Sequence, residues 1–351
     1  MTNTKTKQIM NIFSLIFLSV FGLFNLLGLS QELFFRQLIY LFLGFLGYFI
    51  IKSIGSHFFR INNKFFYWFF ITVLIVTFMV GLEVKGSKRW LNFYFLNFQG
   101  SEFFKVFFIL FLSEILVIKN ILSNTFFNFI KIFFYFLIPF IIIFKQPDLG
   151  NAMVYFFIFF TLLMFSNFSK KYLGYLVSLI VIFTPLGWLI MKDYQKARIL
   201  SFISPHLDVQ GSAYNMIQSV ITIGSGMLFG RGLGLGTQSR LFFLPENTTD
   251  FAFASLIEQF GFLGGLFVLI FFTIIIIYLV KKTAYFYYQK SEVDQKKFLY
   301  CLGMLTYFVS QTIINLGMNM GIMPIAGITL PFISYGGSSL IALLIGFALV
   351  P

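Results

Sequence analysis

Apolar residues run along the chain in blocks of roughly 20, separated by short polar clusters rich in Lys, Asn and Gly. Read with their polar breaks, the blocks fall near 9–29, 33–53, 64–82, 102–119, 126–144, 149–168, 172–191, 250–280, 298–318 and 331–351. Each is long enough to cross the ~30 Å hydrocarbon core as a helix. The pattern therefore predicts an all-α, polytopic integral membrane bundle with about ten transmembrane helices. Most connections are short, which predicts one transmembrane domain over residues 1–351. The exception is a large extracytoplasmic loop over 192–249, between the seventh and eighth helices. Its apolar residues Ile199, Leu200, Phe202, Ile203, Met216 and Ile217 predict short helices lying on the membrane. No internal repeat supports the inverted architecture of many transporters.

Composition agrees: 59% of residues are hydrophobic and the mean hydropathy is +0.90. The 55 phenylalanines read as bulky filler for lipid-facing and core positions. A net charge of +13 raises nucleic acid as a partner, but the basic residues sit in short loops, as membrane orientation requires. Lys5, Lys7, Lys52, Arg60, Lys64, Lys119, Lys131, Lys170, Lys171, Lys281, Lys282, Lys290, Lys296 and Lys297 fall on one side, where Glu292 and Asp294 are the loop acids. The other side carries the remaining 11 of the 25 basic residues but also most of the acids, Glu32, Glu83, Glu102, Asp148, Asp193, Asp208, Glu246 and Asp250. This asymmetry puts both termini in the cytoplasm and argues against nucleic acid, while the first run, as long as a span and without a small-residue cleavage site, reads as a retained helix. One cysteine, Cys301, excludes an internal disulfide. No spacing suits a metal, and His57 and His206 form no hydrolytic triad. The glycine-rich 224–236 stretch lacks the Lys-Ser or Lys-Thr of a nucleotide loop.

Charges at membrane depth are costly, so the few present are candidates for chemistry. In LPENTTDFAF (244–253), Thr248 or Thr249 can cap a helix whose first turn holds Asp250. Asp250, Ala254, Glu258, Gly261 and Gly265 then form a polar and small stripe, with Glu258 about 12 Å deeper along the axis. Glu258 reads equally as a structural partner or a chemical group. In GSKRWLNFYFLNFQGSEFFK (86–105), Lys88 and Arg89 lie in an outer loop and Trp90 reads as an interface anchor. Ser101 can cap a helix carrying Glu102 and Lys105 one turn apart, either a plain ion pair or part of a cationic cluster for phosphate. KQPDLGNA (145–152) puts Asp148 at the start of a helix. Gln311, Asn315 and Asn319, four apart, predict interhelical amide hydrogen bonds. LPFISYGGSS (330–339) predicts an irregular or closely packed segment.

These stretches, in this order, resemble the SEDS family (shape, elongation, division and sporulation), the membrane peptidoglycan glycosyltransferases of RodA and FtsW type. GSKRW and FQGSEFFK look like its G-x-x-RW and FQPSE-x-x-K, and KQPDLGNA like its QPDLGTA. RILSFISP, YNMIQSVITIGSGMLFGRGLGLGTQS, LPENTTDFAFA and LPFISYGGSS follow, so the resemblance covers roughly 86–345. The departures are Gly100 for the usual proline, Asn247-Thr248 where a histidine commonly precedes Thr-Asp, and a chain ending at Pro351 without the usual basic tail.

The resemblance implies polymerisation of lipid II at the outer face of the bacterial cytoplasmic membrane. Asp250 matches the family's essential aspartate and is its candidate general base. Arg89, Lys105, Glu102, Asp148, Gln218 and Ser334 become substrate and diphosphate contacts, supported by Trp90, Ser101, Glu246, Glu258 and Asn315. The resemblance leaves room for a divalent cation, magnesium or manganese, at the diphosphate, ordered by Glu102 and Asp148. It implies a class B penicillin-binding transpeptidase as partner, with membrane lipids around it. The short N-terminus and the GTQS stretch favour the elongation (RodA-like) branch over the division branch. The alternatives are a lipid II flippase or other transporter, in which Glu258 and the amide stripe line a path, and a scaffold that only recruits partners.

Overall fold

A computed structural model describes residues 2–84, 87–93, 96–117, 126–191, 193–204, 212–289 and 291–351. Gly86, His206, Asp208 and the end of the predicted 102–119 run lie outside them. Every predicted apolar run coincides with a helix. These are α1 (Thr2–Leu29), α2 (Gln31–Ile54), α4 (Asn63–Val80), α5 (Gly100–Ile115), α6 (Phe126–Lys145), α7 (Leu149–Phe165), α8 (Lys171–Ile190), α12 (Ala252–Tyr287), α13 (Glu292–Asn319) and α14 (Gly337–Ala348). Among the described residues, six of them (α1, α2, α4, α6, α12 and α13) are long and apolar enough to cross a membrane. The short helices are α3 (Ser56–Ile61), α9 (Asp193–Ile203), α10 (Ser212–Ser225) and α11 (Thr237–Arg240).

One feature departs from the sequence reading. Residues expected as an outer loop form a three-stranded antiparallel sheet, β1 (Leu82–Val84), β2 (Ser87–Phe93) and β3 (Leu96–Phe98), in the order β1-β2-β3. Leu82 pairs with Trp90, and Leu91 with Phe98. The chain also packs as two compact units. Unit 1 comprises Met1–Leu38, Tyr175–Ile275 and Gln311–Gly336; unit 2 comprises Ile39–Gly174, Ile276–Ser310 and Gly337–Pro351.

In unit 2 the buried helix is α5, whose Phe107 stacks on Phe70 with ring centroids 4.8 Å apart and whose Phe111 stacks on Tyr67 at 4.2 Å. Phe136 of α6 stacks on Phe159 of α7 at 4.4 Å. Much of the phenylalanine is thus core packing, with offset ring pairs adding to area burial. Pro139 lies inside α6 and has no N–H for the carbonyl of Tyr135 one turn earlier. The Tyr67 hydroxyl donates to that carbonyl at 2.7 Å, so the helix keeps its course with its backbone satisfied.

In unit 1 the defining feature is a break in α12. Gly261 has φ 72, a left-handed conformation, and the regular ladder stops there. The orphaned groups are taken by the glycine-rich segment. Arg231 N donates to Glu258 O (2.8 Å) and Gly232 N to Gln259 O (3.1 Å), while Phe262 N and Leu263 N donate to Met227 O (2.8 Å) and Leu228 O (3.2 Å). A Cβ on Gly230 would lie 2.2 Å from Gln259 O, which is why this approach needs glycine. The glycines expected to be only a loop therefore complete a discontinuous helix, the form in which irregular backbone is tolerated at membrane depth. On the other side of α12, Gln259 Nε2 donates to Asn25 Oδ1 of α1 at 2.8 Å.

Candidate active site

Asp250 does not lie in the first turn of α12, because the helix begins at Ala252. Glu246 sits at φ 54 and its carbonyl accepts from both Thr249 N (3.2 Å) and Phe251 N (3.0 Å), winding 246–251 into a turn ahead of the helix. Thr249 caps nothing: its hydroxyl donates to the Glu246 carboxylate at 2.7 Å. Below the turn, Phe251 and Ala254 pack with Leu244, Ile223 and Ile325.

Three consecutive carbonyls of this turn are held from outside. Thr248 O accepts from Tyr335 N (2.8 Å), Thr249 O from Ser334 Oγ (2.6 Å), and Asp250 O from Asn315 Nδ2 and Asn319 Nδ2 (3.0 Å each). Asn319 Oδ1 in turn accepts from Ala254 N at 3.1 Å, capping α12 from another helix. The predicted amide stripe thus does bond between helices, and at Asn315 and Asn319 it grips the half-buried Asp250.

Glu258 is fully buried. Its Oε1 accepts from Gln238 N (2.8 Å), and its Oε2 from Ser239 N (2.9 Å) and Ser239 Oγ (2.5 Å). A carboxylate on the first N–H groups of α11 is a capping arrangement, so Glu258 holds the GTQS stretch. Asn247 Nδ2 donates to Ser239 O, tying that stretch to the Asp250 turn. The predicted stripe ends at Glu258, since Gly261 is not helical. Gln218 lies half-buried on α10.

The second group of candidates lies in unit 2. Lys105 has no exposed surface; its ammonium meets Glu102 Oε2 at 2.8 Å and Asn151 Oδ1 at 2.9 Å, and lies 4.6 Å from the Tyr307 ring centre. Tyr307 also donates to Glu102 Oε2 at 3.3 Å. Asn151 Nδ2 donates to Asp148 Oδ2 (2.9 Å), which also accepts from Gln99 Nε2 (3.2 Å). Asp148 Oδ1 accepts from Asn151 N at 3.3 Å as the N-cap of α7 and lies 3.6 Å from Arg89 NH1. Arg89 also donates to the carbonyl of Pro147. One chain of charges and amides therefore runs Glu102, Lys105, Asn151, Asp148, Arg89. Its buried members are paired, as low dielectric requires, and the Arg89 side chain at its end is 13% exposed.

Ser101 is not the cap of α5: Gln99 is the N-cap residue, and Ser101 sits in the first turn, its carbonyl accepting from Tyr155 Oη at 2.8 Å. Trp90 lies half-buried on β2. Gln99, Asn151, Tyr307 and Asn319 were not among the expected site residues. Asn151 and Gln99 stand inside the motifs quoted above, and Tyr307 stands four residues before Gln311 on the amide face, so spacing held the signal. A divalent cation does not fit Glu102 and Asp148 in this arrangement. Their oxygens already meet Lys105, Tyr307, Asn151, Gln99 and Arg89, and among the described residues no three His, Cys, Asp or Glu side chains gather.

The profile of the FtsW/RodA/SpoVE family, described as cell cycle protein, matches residues 4–351. A probable peptidoglycan glycosyltransferase FtsW of Wigglesworthia glossinidia brevipalpis is 37% identical, over 90% of this chain and 82% of that protein. The peptidoglycan glycosyltransferase MrdB of Escherichia coli (strain K12) is 36% identical, over 80% of this chain and 74% of that protein. A chain from a peptidoglycan synthase complex, solved for its coordination of polymerization and crosslinking, superposes with a TM-score of 0.80 at 25% identity, covering 97% of this chain and 95% of that one. With one profile running along nearly its whole length and relatives more than a third identical over most of theirs, this multi-pass membrane protein belongs to the FtsW/RodA/SpoVE family.

Proposed function

We propose that this protein is a peptidoglycan glycosyltransferase that joins lipid-linked disaccharide units into glycan strands. The observation that carries the reading is the grip on three successive carbonyls at Thr248, Thr249 and Asp250, which fixes the backbone of one carboxylate in advance of reaction. Preorganisation of this kind lowers the barrier because little reorganisation is left for the transition state. The relatives' names supply the substrate class.

In this reading the acceptor sugar's 4-hydroxyl attacks the anomeric carbon of the donor. The carbon–oxygen bond to the lipid diphosphate breaks, with its electron pair leaving on phosphate, and Asp250 takes the hydroxyl proton. The new bond forms opposite the one that breaks, so the donor's configuration inverts. Arg89 offers the planar donor fork suited to phosphate oxygens. Lys105, spent on Glu102 and Asn151, acts by positioning: it holds the chain of side chains that ends on Arg89. Any divalent cation would arrive with the diphosphate, and no step here is routed through one.

The site faces outward across the bacterial cytoplasmic membrane, with both termini in the cytoplasm, as the loop charges suggest. A class B penicillin-binding transpeptidase is the proposed partner, in line with the synthase complex among the structural relatives. The relatives carry names of both the FtsW and MrdB kinds; we favour elongation, and rescue of a rod-shape defect against rescue of a division defect decides between them. Incubating the purified protein with lipid II and its transpeptidase, then resolving the glycan by gel, tests the activity itself. Transfer of labelled lipid II between leaflets without any polymer would support transport in its place.

A further inference from the structure

The segment from α10 to residue 243 turns a largely apolar surface outward. The buried face of α10 carries Ser219 and Thr222 beside Ala213 and Met216, and Ser219 Oγ donates to Asn319 O at 2.9 Å. Its exposed face carries Ile217, Val220 and Ile221. A helix lying against water turns polar residues outward. The exposed apolar surface continues through Met227 (79% exposed), Leu228 and Phe229 (78%), and returns at Leu241 and Phe242 (75%). Left in water, a patch of this size would be a large liability.

The break in α12 sets where this surface lies. From Phe262 to Val280 the helix is a charge-free, predominantly apolar stretch of about 28 Å at 1.5 Å per residue, close to the ~30 Å hydrocarbon core, and Lys281 and Lys282 follow it. Gly261 therefore marks the hydrocarbon boundary of the leaflet on the Asp250 side. Met227 and Leu228 are bonded through their carbonyls to the two residues after Gly261, so they lie at that same level. Phe262 and Leu263 are themselves exposed there, which makes the loop's apolar surface continuous with the lipid-facing surface of α12. The backbone of 227–234 can sit at this depth because the broken helix satisfies it. Residues 226–243 contain two charges, Arg231 and Arg240, both exposed, and no acid. Arg231 Nε is tethered to Ser225 O (3.2 Å) and Arg240 NH1 to Gly234 O (3.0 Å), leaving further guanidinium donors for phosphate.

We propose that α10 and residues 226–243 form a shelf inserted into the leaflet on the Asp250 side, with Ile217, Val220, Met227, Leu228 and Phe229 among the acyl chains and Arg231 and Arg240 on lipid phosphates. Arginine and apolar neighbours at a membrane boundary divide in this way, stem and rings in hydrocarbon and charge at the headgroups. The shelf anchors the glycine-rich segment that completes α12, and with it the Glu258 cap on α11.

Spin labels test the insertion directly. Cys301, the chain's one cysteine, is fully buried, so the wild type serves as the unlabelled background. Phe229→Cys, Leu228→Cys and Phe242→Cys are labelled in the full-length protein, reconstituted alone in phospholipid vesicles, and compared with Phe267→Cys on the exposed face of α12 and with Lys281→Cys. The expected result is that dissolved oxygen relaxes the shelf labels several-fold more than a water-soluble nickel chelate does, as at position 267. Preferential relaxation by the chelate, as at position 281, overturns the proposal. Low accessibility to both agents also overturns it, because the surface would then be covered by protein.

Discussion

The side-chain amide of Asn315 lies 3.0 Å from the backbone carbonyl oxygen of Asp250, and the same amide donates to Ile328 O at 2.6 Å. One asparagine thereby ties the turn that carries the candidate base to the irregular segment ahead of α14. Asn315→Ala removes both bonds while leaving the carboxylate in place. Misplacing a reacting group by about 1 Å can cost on the order of 100-fold. The expected outcome is a kcat reduced on that scale with KM little changed, read from initial rates of lipid II polymerisation. An unchanged kcat would show that the Asn315 share of the grip on Asp250 has no part in the chemistry.

Lys105 and Glu102 are buried together, so removing one charge leaves the other unpaired. Lys105→Met should lower the unfolding free energy by about 3–5 kcal/mol, the usual cost of orphaning a buried ion. Glu102→Gln in the same chain should restore part of that loss. Unfolding of the single and double variants in bicelles gives the coupling, and strict additivity would mean that the two side chains do not depend on each other.

Tyr67 and Pro139 make a second cycle, independent of any charge. Tyr67→Phe leaves the Tyr135 carbonyl without a donor and should destabilise by about 1–3 kcal/mol. With Pro139→Ala, residue 139 regains an N–H for that carbonyl, and Tyr67→Phe should then cost much less. Equal costs in the two backgrounds would contradict the assignment of the hydroxyl to the proline gap.

The Glu258 carboxylate receives the amides of Gln238 and Ser239. In Glu258→Ala those amides lose their acceptor, and hydrogen exchange over residues 236–241 should accelerate strongly while α13 stays protected. Exchange that stays slow over 236–241 would mean that α11 is held by something other than this cap.

What the sequence disclosed depended on how far each signal ran along the chain. The apolar blocks announced their helices because about 20 residues of one character leave few alternatives. The Asn315 and Asn319 spacing announced interhelical bonding because four residues return a helix to the same face. The sheet around Trp90 was hidden, since strands of three to seven residues beside an obvious loop charge carry little periodic signal. The break at Gly261 was hidden for the opposite reason: the helical pattern continues across it, and the groups that replace its ladder come from residues 227–232. Asp250 lies two residues ahead of α12 and not in its first turn, because the chain winds around the Glu246 carbonyl before the helix begins. Glu102 and Lys105 were legible as a pair, but their attachment through Asn151 to Asp148 and Arg89 needed the fold.

Asp250 is the proposed proton acceptor in glycosyl transfer, and polymer formation by Asp250→Asn reads that role. The amide matches the carboxylate in shape, is not a base at neutral pH, and leaves the four hydrogen bonds to the turn's three backbone carbonyls undisturbed. Purified wild type and variant are matched for monodispersity and thermal stability, then given lipid II with the transpeptidase partner, and their glycan is resolved by gel. The wild type should give a polymer ladder and Asp250→Asn none; a ladder from the variant at the wild-type rate would rule out Asp250 as the base.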